Sequence, residues 1–149
     1  MKYKVLILLT IIMIFTGCGK SKLTCEKNKK KPGYIYNEKY ELIYDENEEN
    51  LKQINLTIKS TYNEQYTTEE IEDEYDEVVE ECDFYEAASD KLIECKPKLN
   101  NNVITVKIKI KVANISDELF EKMMYVTKSE ISNRNDTKKM LENVGYTCK

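Results

Sequence analysis

The chain has 149 residues, of which 41% are hydrophobic and 34% charged, with five cysteines, no tryptophan and no histidine. This composition excludes collagen-like, low-complexity and fully disordered chains, and the length points to one domain. Without histidine there is no Ser-His-Asp or Cys-His catalysis and no histidine-ligated zinc, and a net charge of −4 argues against nucleic-acid binding.

The N-terminus reads as an export leader. Lys2 and Lys4 form a positive start, and Val5 to Phe15 is an apolar run of 11 residues. A membrane-spanning helix needs about 20 apolar residues, so this run is too short to anchor a mature chain. Thr16 and Gly17 before Cys18 resemble the lipobox of bacterial lipoproteins. That resemblance implies cleavage after Gly17 and a diacylglycerol on the Cys18 thiol, with membrane lipid as the partner of Cys18. The expected organisation is a signal peptide over residues 1–17, a lipidated tether over 18–22 and a single domain over 23–149. Loss of Lys2 and Lys4 with retention of all 27 acids moves the net charge from −4 to about −6.

In the mature chain, Leu23 to Glu26 reads as a short strand and Lys27 to Gly33 as a charged turn ending in Pro-Gly. Tyr34 to Tyr44 alternates with period two: Tyr34, Tyr36, Tyr40, Leu42 and Tyr44 share one face. After a polar loop, Leu51 to Lys59 alternates again, with Ile54, Leu56 and Ile58 inward. Thr67 or Thr68 caps a helix whose apolar stripe is Ile71, Tyr75, Val78, Cys82 and Tyr85. A strand follows from Lys91 to Lys96, then a turn at Asn100 to Asn102. Val103 to Val112 carries the clearest strand pattern, with Val106, Ile108, Ile110 and Val112 opposite Thr105, Lys107, Lys109 and Lys111. Ser116 caps a short helix, and Asn135 or Asp136 starts a last one that ends at Gly145. Tyr146 to Cys148 returns to the sheet. The expected fold class is α+β, an antiparallel sheet of about five strands with helices packed on one face.

With Cys18 lipidated, Cys25, Cys82, Cys95 and Cys148 remain. An even number in an exported chain reads as disulfides, and four cysteines allow three connectivities. Element order ranks Cys25–Cys148 with Cys82–Cys95 first, since one pair would tie the ends and the other would clip a helix to the next strand. The spacing lacks the Cys-x-x-Cys of redox sites and the close pairs of zinc sites.

Glu64 to Glu86 holds 12 acids and no Lys or Arg. A regular helix points its acids outward and cannot wrap one ion, so this segment reads as a solvated acidic face. The oxygen-rich loop Asp45 to Asn50 reads as a hairpin loop. Lys107, Lys109 and Lys111 read as a solvated stripe paired across strands by Glu41 or Glu94. Most of the tyrosines of the second strand, Tyr34, Tyr36, Tyr40 and Tyr44, read as core rather than as a carbohydrate-stacking platform. No metal, cofactor or catalytic residue is implied.

Taken together, the lipobox, the strand cysteine in Leu23-Thr24-Cys25, the long helix, the lysine-alternating strand and the ending Leu141-Glu142-Asn143-Val144-Gly145-Tyr146-Thr147-Cys148-Lys149 resemble the YehR-type small bacterial lipoproteins, a family of uncharacterised function. The resemblance covers most of the mature chain. It implies an address, a fold and the pairing of Cys25 with Cys148, since related chains often have just the outer two cysteines. It carries over no catalytic residues. The expectation is a membrane-anchored extracytoplasmic lipoprotein that is not an enzyme and that binds an unknown protein or envelope polymer or serves a structural role. The alternative is a small envelope hydrolase using carboxylates.

Overall fold

A computed structural model describes residues 20–149; the leader over 1–17, the lipidation residue Cys18 and Gly19 lie outside the described residues. The elements run β1 (Lys22–Lys31), β2 (Tyr34–Tyr44), β3 (Leu51–Tyr62), α1 (Thr68–Ala88), β4 (Ile93–Asn100), β5 (Val103–Lys111), α2 (Asp117–Met124), α3 (Arg134–Asn143) and β6 (Thr147–Cys148). Among the described residues the strands form a single antiparallel sheet in the order β4-β5-β3-β2-β1-β6. This is the α+β class, with six strands rather than about five; the sixth is the two-residue return at Thr147–Cys148.

Neighbouring strands follow chain order except between β3 and β5 and between β1 and β6. After β3 the chain rises through α1, descends at the edge as β4 and turns back into β5, which pairs with β3. One sheet face carries Leu23, Leu42, Tyr44, Ile54, Ile93 and Ile110, all essentially buried beneath the helices. The other face is wet. There Glu41 bonds to Lys22 at 3.0 Å and to Lys39 at 3.1 Å, and Glu94 lies 3.6 Å from Lys109. Glu41 is therefore occupied by β1 and β2 lysines and does not serve the β5 stripe.

The lysine run after Glu26 is strand, not turn. Lys27 to Lys31 pair in register with Glu38 to Tyr34, and the turn shrinks to Pro32 and Gly33. Gly33 has φ +88°, a conformation that a Cβ would strain, and a Cβ there would also run into the Tyr66 ring. β6 and the adjoining Lys149 cover only Thr24, Cys25 and Glu26 of β1. The rest of β1 is therefore an open sheet edge, and lysines there block pairing with another chain. The opposite edge, β4, runs through Pro97 to Asn100, and Pro is tolerated because an edge strand needs hydrogen bonds on one side only.

Two buried clusters fill the helix side. The larger joins Tyr44, Phe120, Ile115 and Ile131 under α2 and α3. The smaller joins Tyr62, Ile71, Cys82, Ile104 and Val106 under α1. α1 starts at a capping box: Thr67 accepts from the Glu70 N–H, and Glu70 accepts from the Thr67 N–H at 2.7 Å. α2 is capped by Ser116, as the sequence suggests, whereas α3 is capped by Asn133 and begins at Arg134, ahead of the expected start at Asn135 or Asp136. At the end of α3, Gly145 N–H donates to Glu142 and Tyr146 N–H to Leu141, with Gly145 at φ +93°. This is a Schellman closure. It turns the chain sharply and directs Tyr146 back over the sheet.

Candidate functional site

Both disulfides join elements that the fold already brings together. Cys25 and Cys148 are directly opposed on β1 and β6. Thr24 and Lys149 exchange both backbone hydrogen bonds beside them, which makes Cys25 and Cys148 a narrow, non-hydrogen-bonded pair whose side chains approach closely. Cys82 on α1 bonds to Cys95 on β4. The same junction is tied by the Glu86 carboxylate, which accepts from the Cys95 N–H at 2.6 Å, and by the Ser89 hydroxyl, which accepts from the Ile93 N–H at 3.1 Å. These are the two pairs that element order ranks first.

α1 is thus clipped at its second half, and between it, α2 and the sheet lies a cleft of about 350 Å³. It opens where the two buried clusters meet. Its floor is the inward face of β2, β3 and β5, with Tyr36, Glu38 and Tyr40 beside Leu56, Ile58, Val106 and Ile108. Its walls are Glu74, Val78, Glu81 and Tyr85 from α1 and Met123, Met124 and Tyr125 from α2. The Cys82–Cys95 bridge lines it as well.

Glu38 is the unusual residue of this floor. It sits on the inward parity of β2 between Tyr36 and Tyr40, where the alternation calls for an apolar side chain. Tyr40 donates to one of its oxygens at 2.8 Å and Tyr146 to the other at 2.7 Å. Among the described residues no Lys or Arg forms an ion pair with it. Burial, followed by the Glu38 charge, pushes the Tyr36 phenol up to about 12. The same two causes raise Tyr40 further, and burial followed by the hydrogen bond to Glu38 raises Tyr146. Tyr62 is pushed up to about 12 by burial and then by Glu74, and Tyr85 is raised by burial and then by Glu81. The phenols of Tyr36, Tyr40, Tyr62, Tyr85 and Tyr146 therefore stay neutral in ordinary conditions. They are good hydrogen-bond donors and poor nucleophiles.

The residues singled out by sequence separate in space. The outer disulfide lies at the β1–β6 edge and the inner one in the cleft wall. Of the acids on α1, Glu74 and Glu81 line the cleft. The lysines of β5 point from the opposite, wet face, where only Lys109 is paired. In the Asp45 to Asn50 loop, the Asp45 carboxylate is consumed by the N–H groups of Glu49 and Asn50. Among the described residues no group of three or more acids and cysteines could hold a metal ion, and no helix is long and apolar enough to cross a membrane.

The tyrosines correct one expectation. Tyr44 is core: it is fully buried and donates to the Ile131 carbonyl. Tyr36 and Tyr40 are only partly buried and line the cleft instead. Glu38 and Tyr146 escape sequence reasoning. The local signal was an acid on the tyrosine parity of β2.

No family model, no curated protein and no solved structure matches the chain.

Proposed function

We propose that the protein is an exported, lipid-anchored binding module. In this reading Cys18 carries the lipid, residues 1–17 are removed and the sheet domain sits on the extracytoplasmic side of the cell membrane. The order of charged start, short apolar run and Gly17-Cys18 junction supports it, as do two disulfides, which persist in oxidising compartments. The likeness to YehR-type lipoproteins points the same way.

The reading of a binding role rests on one observation: a preformed cleft with neutral phenols, three carboxylates and apolar walls, held by the Cys82–Cys95 bridge. Clefts of about 300–1,000 Å³ lined mainly by apolar groups with a few placed polar ones are the usual form of small-ligand sites. The phenols are not activated for attack, which favours binding over catalysis.

Intact mass of the protein from native membranes, with and without reductant, tests the address. The expected species starts at Cys18, carries acyl mass and gains the hydrogens of two disulfides on reduction. A soluble species retaining Met1 and five free thiols, that of Cys18 included, would overturn it. Turnover of a glycoside or ester panel, abolished by Glu38→Gln, would replace the binding role with the hydrolase alternative.

A further inference from the structure

We propose that the cleft between the sheet and helices α1 and α2 binds a small organic cation, an amine or quaternary ammonium on an apolar body. This rests on the reading of the cleft as a binding site and adds the chemical class of its ligand.

The sign of the cleft is the first argument. Glu38, Glu74 and Glu81 line it, and no Lys or Arg does. Glu38 is held by two phenol donors, which fix its position, and among the described residues it forms no ion pair with Lys or Arg. Lys27, directly opposite Glu38 on β1, is turned to the Val144 carbonyl and to the Tyr146 ring and is not part of the lining. Glu74 and Glu81 are seven residues apart, two turns along one face of α1, so both overlook the same space. The rest of α1 deepens this field: among the described residues none of its acids pairs with Lys or Arg. An acidic wall around a low-dielectric cleft concentrates cations and repels anions.

The surface between the charges is the second argument. Tyr36, Tyr40, Tyr62, Tyr85 and Tyr125 present rings, and Met123 and Met124 present polarizable thioethers. Ring faces within about 6 Å attract ammonium groups, and methionine adapts to varied apolar shapes. A bare divalent ion has no matching cage here, since no three-ligand group exists among the described residues. An anion would meet three carboxylates with no basic partner.

Tyr125 gives the third argument. It ends α2 in the left-handed conformation, φ 56°, and is 88% exposed while belonging to the cleft lining. That conformation suits glycine, and a large aromatic ring held there in water is costly without a use. At the mouth of the cleft it can fold down on a ligand's apolar body.

The test is a titration of the full-length, oxidised protein in a neutral detergent, read by aromatic ¹H–¹³C NMR of the tyrosine rings. The probes are benzyltrimethylammonium, its neutral carbon isostere neopentylbenzene, phenylacetate and phenyl β-glucoside. Benzyltrimethylammonium should shift Tyr36, Tyr40 and Tyr85 saturably and bind at least about tenfold tighter than neopentylbenzene. Glu81→Gln, on the solvent-washed helix wall, should weaken it several-fold; Lys107→Glu, on the far sheet face, should leave it unchanged. Glu38→Gln should weaken it most, and Glu81→Gln keeps the test decisive if Glu38→Gln disturbs folding. Equal or tighter binding of neopentylbenzene, phenylacetate or the glucoside would overturn the cation preference while leaving the cleft a binding site. If no probe moves a cleft tyrosine, the binding-module reading falls with it.

Discussion

Tyr146 donates its hydroxyl to Oε2 of Glu38 at 2.7 Å, across 108 residues of chain. The bond depends on how the chain closes. The Schellman turn at Gly145 aims Tyr146, and the Cys25–Cys148 bridge fixes the strand that follows it. The closure of the fold thereby positions the carboxylate of the cleft. Tyr146→Phe removes this donor and leaves Glu38 with Tyr40 alone. Hydrogen bonds to charged groups contribute about 1.5–3 kcal/mol, and the partial exposure of this one places it at the low end, about 1.5 kcal/mol. Urea unfolding of the two proteins checks this; an unchanged midpoint would show that the contact is decorative.

Alkaline pH should reveal the cleft. Tyr36 and Tyr62 are pushed from 10 up to about 12 by burial first and then by Glu38 and Glu74. In the unfolded chain both ionise near 10. Between pH 10 and 12 the folded protein therefore holds protons that the unfolded chain has released, so stability falls as pH rises through that window. Following phenolate absorbance and far-UV circular dichroism together tests it. Tyr36 and Tyr62 should ionise only as the fold is lost. Ionisation of every tyrosine near 10 with unchanged dichroism would contradict the burial described above. Glu38→Gln should lower Tyr36 only in part, since burial, the larger cause, remains.

The two disulfides should differ in worth. Cys25–Cys148 closes 123 residues and Cys82–Cys95 only 13. By chain entropy the long loop contributes about 5 kcal/mol and the short one about 3. For a domain whose total stability is about 5–15 kcal/mol, loss of the outer bridge in Cys25→Ser/Cys148→Ser is the graver change. Cys82→Ser/Cys95→Ser should cost less globally and act locally, raising amide exchange in the second half of α1 and in β4. Denaturant unfolding and hydrogen exchange on the oxidised proteins distinguish the two effects; equal destabilisation with uniform exchange would refute this ranking.

Local pattern accounts for the parts of the fold that sequence reasoning reached. Val106, Ile108 and Ile110 alternate with lysines because β5 is central and wet on one face, so its pattern is strict. The stripe from Ile71 to Tyr85 marks α1 because that helix lies on the sheet. Sheet edges were less legible. Lys27 to Lys31 look like a turn, yet the ladder to β2 makes them strand, and their charge reflects an edge position that only topology reveals. The strand expected over Lys91 to Lys96 instead runs from Ile93 through Pro97 to Asn100, and Pro97 is tolerated for the same reason. The cleft was least legible, since it depends on how far α1 and α2 stand from the sheet. Glu38 was a visible trace of it, but its partner Tyr146 belongs to the other end of the chain.

One like-charge contact on the wet face offers a stabilising change. Lys107 lies directly opposite Lys96 on β4 and opposite Thr57 on β3. Lys59 and Lys98 are its diagonal neighbours, while Glu94 is engaged with Lys109 and Lys96. Like charges directly opposite one another destabilise a sheet, and an opposite-charge pair contributes about 0.2–1 kcal/mol. Lys107→Glu converts the repulsion into an attraction with Lys96, and it leaves the apolar face and the cleft untouched. The expected result is a gain within that range at low salt. Both charges are solvated, so the gain should shrink in 1 M salt, where the screening length falls to about 3 Å. Urea unfolding of both proteins at low and high salt reads this out. A loss of stability, or a gain that salt does not alter, would mean that the strand register on this face differs from the one described.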